Sequence, residues 1–213
     1  MRRIALLIVS CAVVAGACGG GGSATPSAST ANSTATATGK ATATPGSAAT
    51  PSGSGAAKPS VSIPAGWKDF TPDDGSFSIA FSGTPTTETA SQASDFGTVE
   101  GNTYSLVAGA NTYQVTQERY PAGTLSGLSA GDLDKFTGGL VTGLVTAAGG
   151  VASNQTGSTF VGYPAQTATI TAGTKAEDVL VFVFANDAYI LLVTHTAGVT
   201  VDAAQFFGTF QLP

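Results

Sequence analysis

The sequence predicts an α+β domain: a central antiparallel β-sheet flanked by helices. Three observations carry that expectation. Short apolar and β-branched runs recur between turn signals from Phe77 onward, which is the pattern of an antiparallel meander. Two of the runs, residues 179–184 and 189–193, are apolar on both faces, as in strands at the centre of a sheet covered on both sides. One segment, residues 129–147, changes period. Its Leu133, Phe136, Leu140, Val141, Leu144 and Val145 recur at three and four, the face of a helix.

The elements follow in order. Trp67 and Phe70 open the domain, and Pro72-Asp73-Asp74-Gly75 makes a turn. Phe77, Ile79 and Phe81 alternate with Ser76, Ser78 and Ala80, the period of a half-buried strand. After the turn Gly83-Thr84-Pro85, runs 99–107 and 112–118 form a hairpin about Gly109-Ala110-Asn111. Ser129 with Asp132 has the form of a helix N-cap with an acidic third residue. Gly138, Gly139 and Gly143 each cost the helix about 1 kcal/mol against alanine, and their lack of side chains would let it lie close to a sheet. Gly149-Gly150 ends it. Strands are expected at 151–160, 164–171, 177–185 and 188–196, separated by Gly162-Tyr163, Gly173-Thr174 and Asn186-Asp187. Covering both sheet faces then requires a second helix, placed at 201–207 and entered at Thr200.

Composition divides the chain of 213 residues into 1–17, 18–63 and 64–213. Residues 19–60 contain no aromatic, Leu, Ile, Val or acidic residue, so nothing there repays the entropy of ordering. They read as a flexible tether of about 35–40 Å end to end. The single Trp, all five Tyr, all eleven Phe and the single His lie in 64–213, and only this part can build a core. It also holds all thirteen acidic residues against four cations, Lys68, Arg119, Lys135 and Lys175. Binding nucleic acid needs clustered Lys and Arg, so that class is set aside.

The first residues read as a secretory signal. Arg2 and Arg3 precede an apolar stretch over 4–14, and small residues follow. The stretch is short of the ~20 apolar residues that span a bilayer. Ala15-Gly16-Ala17-Cys18 resembles the bacterial lipobox. That resemblance implies cleavage after Ala17 and a diacylglycerol thioether on Cys18, with palmitate-type acylation at the new amino terminus. Ala15 departs from the Leu, Val or Ile usual in that family. Ile8-Val9-Ser10-Cys11 is a rival box, but it leaves an apolar region of about seven residues, at the short limit for export. The expected location is the extracytoplasmic face of a cell membrane, held by lipid on Cys18.

Residues 67–213 resemble PsbP-like domains. The likeness rests on Trp67 and Phe70, Phe77-Ser78-Ile79-Ala80-Phe81, Gly83-Thr84-Pro85, Gly162-Tyr163-Pro164-Ala165, Asn186-Asp187-Ala188-Tyr189 and the segment from Ala204 to Leu212. It implies an α/β/α sandwich and a mostly non-catalytic role. These are packing motifs, and no family binding residue carries over.

The chemistry is sparse. His195 would have to serve any Ser-His-Asp relay, but its place between Thr194 and Thr196 near a strand end fits a hydrogen-bonded structural residue. With no second His and no Cys in the domain, neither a transition metal nor another cofactor is implied. Asp73-Asp74 and Asp132-x-Asp134 read as a turn and a helix start. Glu88, Glu100, Glu118 and Glu177 are the candidates for a hydrolytic carboxylate pair. Trp67, Tyr113, Tyr120 and Tyr163 could line a recognition surface. The leading expectation is a monomeric, non-catalytic binding or scaffold module that engages another envelope protein. An anchored hydrolase and an anchored small-ligand receptor are the alternatives.

Overall fold

The computed structural model describes residues 61–213. The signal residues, Ala17, Cys18 and nearly all of the expected tether lie outside the described residues. Among the described residues, no helix is long and apolar enough to cross a membrane.

A two-stranded ribbon, β1 (Lys68–Phe70) with β2 (Ile79–Phe81), precedes the sheet. The sheet strands are β3 (Thr86–Ser94), β4 (Gly97–Ala108), β5 (Asn111–Arg119), β6 (Val151–Phe160), β7 (Tyr163–Ala172), β8 (Lys175–Phe184) and β9 (Asp187–Thr196). They lie in the order β3-β4-β5-β9-β8-β7-β6, and every neighbouring pair is antiparallel. The chain thus makes one meander inward from an edge. It crosses to the far edge through helix α1 (Ala130–Ala148), then makes a second meander back to the centre, where β9 meets β5. The doubly apolar runs become β8 and β9, as expected of central strands.

Helix α1 starts at the anticipated cap. Ser129 Oγ accepts from the Asp132 N–H at 3.2 Å and donates to Asp132 Oδ2 at 2.7 Å. It ends at Gly149, which takes the left-handed conformation at φ 62°. The helix buries Phe136, Leu140 and Val141 on Ala168, Ile170, Val179, Val181, Val183 and Ile190. At Gly138 the nearest atom to an added Cβ would be Gln155 Nε2 at 4.0 Å, so that glycine does not serve a close approach to the sheet.

The opposite face corrects the predicted fold class. The sheet is not flanked by helices on both sides, and the domain is not an α/β/α sandwich. The second helix, α2, is only Ala203–Phe207, capped by Asp202 rather than entered at Thr200. The rest of the cover is irregular: the β1–β2 ribbon and the chain after α2, joined by Ser78 N–H to Gln211 O at 2.9 Å and Gln211 N–H to Ser78 O at 2.8 Å. Phe77, Phe81, Phe206 and Phe210 project from these segments onto Tyr104, Phe182 and Tyr189. Apolar strand faces demanded a cover, and large rings from short segments supply it without a helical layer.

Candidate functional site

Three chain segments distant in sequence meet at one end of the sheet: the turn after β1, the end of β5 and the β8–β9 hairpin. The Pro72–Gly75 turn closes with the Gly75 N–H on Pro72 O at 2.9 Å, and Asp74 Oδ1 accepts the Ser76 N–H at 3.0 Å. Strand β5 projects Gln117 and Arg119 onto the same face, because alternate residues share a side. The hairpin supplies Asp187 and Tyr189.

Arg119 is clamped between two carboxylates. Its Nη2 lies 2.9 Å from Asp74 Oδ2 and its Nε 3.4 Å from Asp187 Oδ1. Beneath it, the fully buried Gln117 donates from Nε2 to Asp187 Oδ2 at 2.7 Å and accepts from Ser76 Oγ at 3.3 Å. Tyr189 donates to Ser76 O at 3.3 Å. Burial pushes the Asp74 carboxyl up, but hydrogen bonds from Arg119 and Ser76 together outweigh it and hold the group below its usual range. Burial raises the Tyr189 hydroxyl, and the charges of Asp187 and Asp74 raise it further. The Asp74 hydrogen bond in turn raises the Arg119 guanidinium further, so the Asp74–Arg119 pair is charged at neutral pH.

The Arg119–Asp74 pair contributes one partner to each of two cavities. The first, about 270 Å³, is lined by Phe70, Asp73, Asp74, Thr87, Asn102 and Tyr104, among others. The second, about 420 Å³, is lined by Arg119, Tyr120, Phe184, Asp187, Tyr189 and Pro213, among others. Its rim includes Ala185, at φ 55°. There the two-residue hairpin needs a positive φ that glycine normally supplies. Asn186 fixes the neighbouring loop: its backbone O accepts the Tyr120 N–H at 2.9 Å, and its Oδ1 accepts the Leu125 and Ser126 N–H groups at 3.3 Å each.

The residues singled out in the sequence are mostly elsewhere. His195 is 7% exposed. Its Nδ1 lies 3.0 Å from Thr196 O and its Nε2 3.2 Å from Asp178 Oδ2. Both ring nitrogens face acceptor oxygens, and neither of these contacts is to a serine. Asp132 is lowered by hydrogen bonds from Ser129 and Lys135 at the helix start, and Asp134 accepts from Gln166 Nε2 at 2.6 Å.

The four glutamates do not converge. Glu88 pairs across from Thr103 and Glu118 from Gly101, so they share a face with β4 between them. Glu100, opposite Arg119, points to the other face. Glu177 lies beyond β9, six residues along β8 from the Val183 that stands level with Glu118, or about 20 Å away. Glu118 is 1% exposed and accepts from the Tyr120 hydroxyl at 2.9 Å. Burial pushes it up to about 7, with the Tyr120 hydrogen bond opposing.

The four aromatics are packing residues: Trp67 on Tyr113 at 5.2 Å, Tyr120 on Phe136 at 5.4 Å and Tyr163 on Phe184 at 5.2 Å. Among the described residues, no group of three or more His, Cys, Asp or Glu is placed to hold a metal ion.

Sequence reasoning missed Arg119, Gln117 and Asp187 as partners. Asp74 and Arg119 stand 45 residues apart, and no local pattern links them. No family model matches the chain, and no curated protein is significantly similar to it.

Proposed function

We propose that the chain is a bacterial lipoprotein, cleaved after Ala17 and anchored through acylated Cys18 on the extracytoplasmic face of a membrane. Its folded domain serves as a non-catalytic binding module for another envelope protein. The observation that carries this reading is the order Arg2-Arg3, an apolar stretch and Ala15-Gly16-Ala17-Cys18. Two or three acyl chains suffice for stable attachment at ~0.8 kcal/mol per buried CH₂.

The domain's geometry supports it. Trp67 packs on Tyr113 and Phe206, so the chain enters at the end of β5 remote from Arg119. The six steps along the strand from Tyr113 to Arg119 span about 20 Å. The non-catalytic reading is supported by a histidine with both nitrogens engaged and by glutamates spread over two faces and four strands.

The test is mass spectrometry of the natively purified protein. The expected mass is that of a chain beginning at Cys18 with acyl chains attached, and Cys18→Ser should abolish the lipid. A bare sulfur at Cys18 overturns the assignment. A second reading, an anchored receptor for a small ligand, is favoured by the 420 Å³ cavity. A small molecule released from the purified protein on denaturation would select it.

A further inference from the structure

The Pro72–Gly75 turn combines two requirements that conflict. Gly75 sits at φ 66°, a left-handed conformation that glycine adopts without strain. A glycine after an aspartate is also the arrangement in which an aspartyl chain is covalently least stable. With no Cβ to obstruct it, the glycine nitrogen can reach the side-chain carbonyl carbon of the aspartate before it. Asp74-Gly75 is the single Asp-Gly step in the sequence, and no Asn-Gly step occurs. Asp73, Asp74 and Gly75 are exposed, so water is at hand for each stage of that reaction.

Three contacts oppose the reaction. The Gly75 N–H donates to Pro72 O at 2.9 Å, so the attacking nitrogen is tied into the bond that closes the turn. Asp74 Oδ1 accepts the Ser76 N–H at 3.0 Å, which engages the carboxyl with the residue beyond Gly75. Asp74 Oδ2 accepts from Arg119 Nη2 at 2.9 Å. Arg119 is itself held by Asp187, with Nε 3.4 Å from Oδ1, and Asp187 accepts from the buried Gln117 at 2.7 Å. Ring closure expels a carboxyl oxygen as water and so needs the carboxyl protonated. Burial pushes the Asp74 carboxyl up, but the hydrogen bonds from Arg119 and Ser76 outweigh it and hold the group below its usual range. The reactive form is therefore scarce while Arg119 stays in place. With side chains 43% and 39% exposed, the Arg119–Asp74 pair adds little to stability; its consequence here is chemical.

We propose that Asp74-Gly75 is a latent isoaspartate site, and that the contacts from Arg119, Ser76 and Pro72 keep it as aspartate. When they open, the Gly75 nitrogen bonds to Asp74 Cγ. The Cγ–O bond breaks, and the carboxyl hydroxyl leaves as water with the amide proton. One water then adds to the five-membered imide. Addition at Cγ restores aspartate. Addition at the former main-chain carbonyl leaves the chain running through Cβ and Cγ, an isoaspartate of unchanged mass. The product lengthens the turn by one carbon and moves the carboxylate away from Arg119. It thereby separates the pair that contributes one partner to each of the cavities of about 270 and 420 Å³.

The test ages the full-length protein in detergent for several weeks at neutral pH and growth temperature. Isoaspartate at residue 74 is then counted by peptide mapping with electron-transfer fragmentation. The folded parent should isomerise about ten-fold or more slower than the same chain in denaturant, because several hydrogen bonds must be released first. Arg119→Ala should isomerise about five-fold faster than the parent, the upper worth of an exposed ion pair in a rate. Arg119→Lys, which keeps a cation, should fall between the two. Salt screens the exposed pair, so it should speed the folded parent and leave the denatured chain unchanged. Thermal melting establishes that the variants are folded, and the comparisons of the parent with its denatured chain and across salt need no variant. Equal rates in the folded and denatured parent would overturn the proposal. So would a folded Arg119→Ala that ages no faster than the parent, or a folded parent indifferent to salt.

Discussion

The two faces of the central strands are both dry, and they are dried by different means. Under α1 the strands present Ala168, Ile170, Val179, Val181, Val183 and Ile190, met by Phe136, Leu140 and Val141. The other face presents Tyr104, Phe182 and Tyr189, met by Phe77, Phe81, Phe206 and Phe210. A helix lays down side chains at regular spacing, and small branched residues interlock with it. Short irregular segments offer no such ridge. They fill the space with few large groups, in ring contacts such as Phe77–Phe210 at 5.3 Å, Phe77–Tyr104 at 5.6 Å and Phe77–Tyr189 at 5.9 Å. The aromatic face therefore concentrates its cohesion in single residues, while the aliphatic face distributes it.

The most direct way to break that contrast is Phe77→Ala, which removes the ring bridging the ribbon, β4, β9 and the final segment. The expected loss is about 3–5 kcal/mol in chemical denaturation. A loss below about 1 kcal/mol would mean that the irregular cover closes over the gap.

The aliphatic face is sharpened by its one buried acid, Glu118. Its carboxyl is raised from 4.5 in the unfolded chain to about 7 when folded. The folded state therefore holds this proton more firmly, and stability from the group falls as pH rises from 4.5 to 7, then stays level. The shift corresponds to about 3 kcal/mol. Glu118→Gln should flatten that slope and make the protein more stable than the parent at pH 8. Parallel pH profiles for the two proteins would refute the raised carboxyl.

The smallest effect belongs to the helix itself. Gly138→Ala meets nothing nearer than 4.0 Å and should stabilise by about 0.5–1 kcal/mol, raising the thermal midpoint by a few degrees.

The sequence disclosed the parts of this architecture that depend on local periodicity. The Ser129 cap and the doubly apolar β8 and β9 appear where their patterns put them, whereas the alternation of Phe77, Ile79 and Phe81 yields only the three-residue strand Ile79–Phe81, buried throughout. It did not disclose β3. Thr-Thr-Glu-Thr-Ala-Ser-Gln-Ala-Ser buries no face and so shows no alternation; its pairing is imposed by β4. It misjudged the second cover because burial on both sides of β8 and β9 states that something must lie there, not what. Of the candidate site, the sequence showed the Pro72–Gly75 turn and the Asn186-Asp187 turn between β8 and β9, but not that they meet. Arg119, Asp74 and Asp187 meet through sheet topology, since β5 and β9 become neighbours only after the chain has crossed and returned.

That late meeting also sets an order of assembly. Strand β5 has β4 on one side from the start, but its other neighbour is the last strand made, with Thr112 opposite Thr194. Long-separation pairings of this kind slow folding. The sheet cannot be completed from front to back: the first meander keeps an open inner border until the final hairpin docks and Asn186 secures the crossing loop.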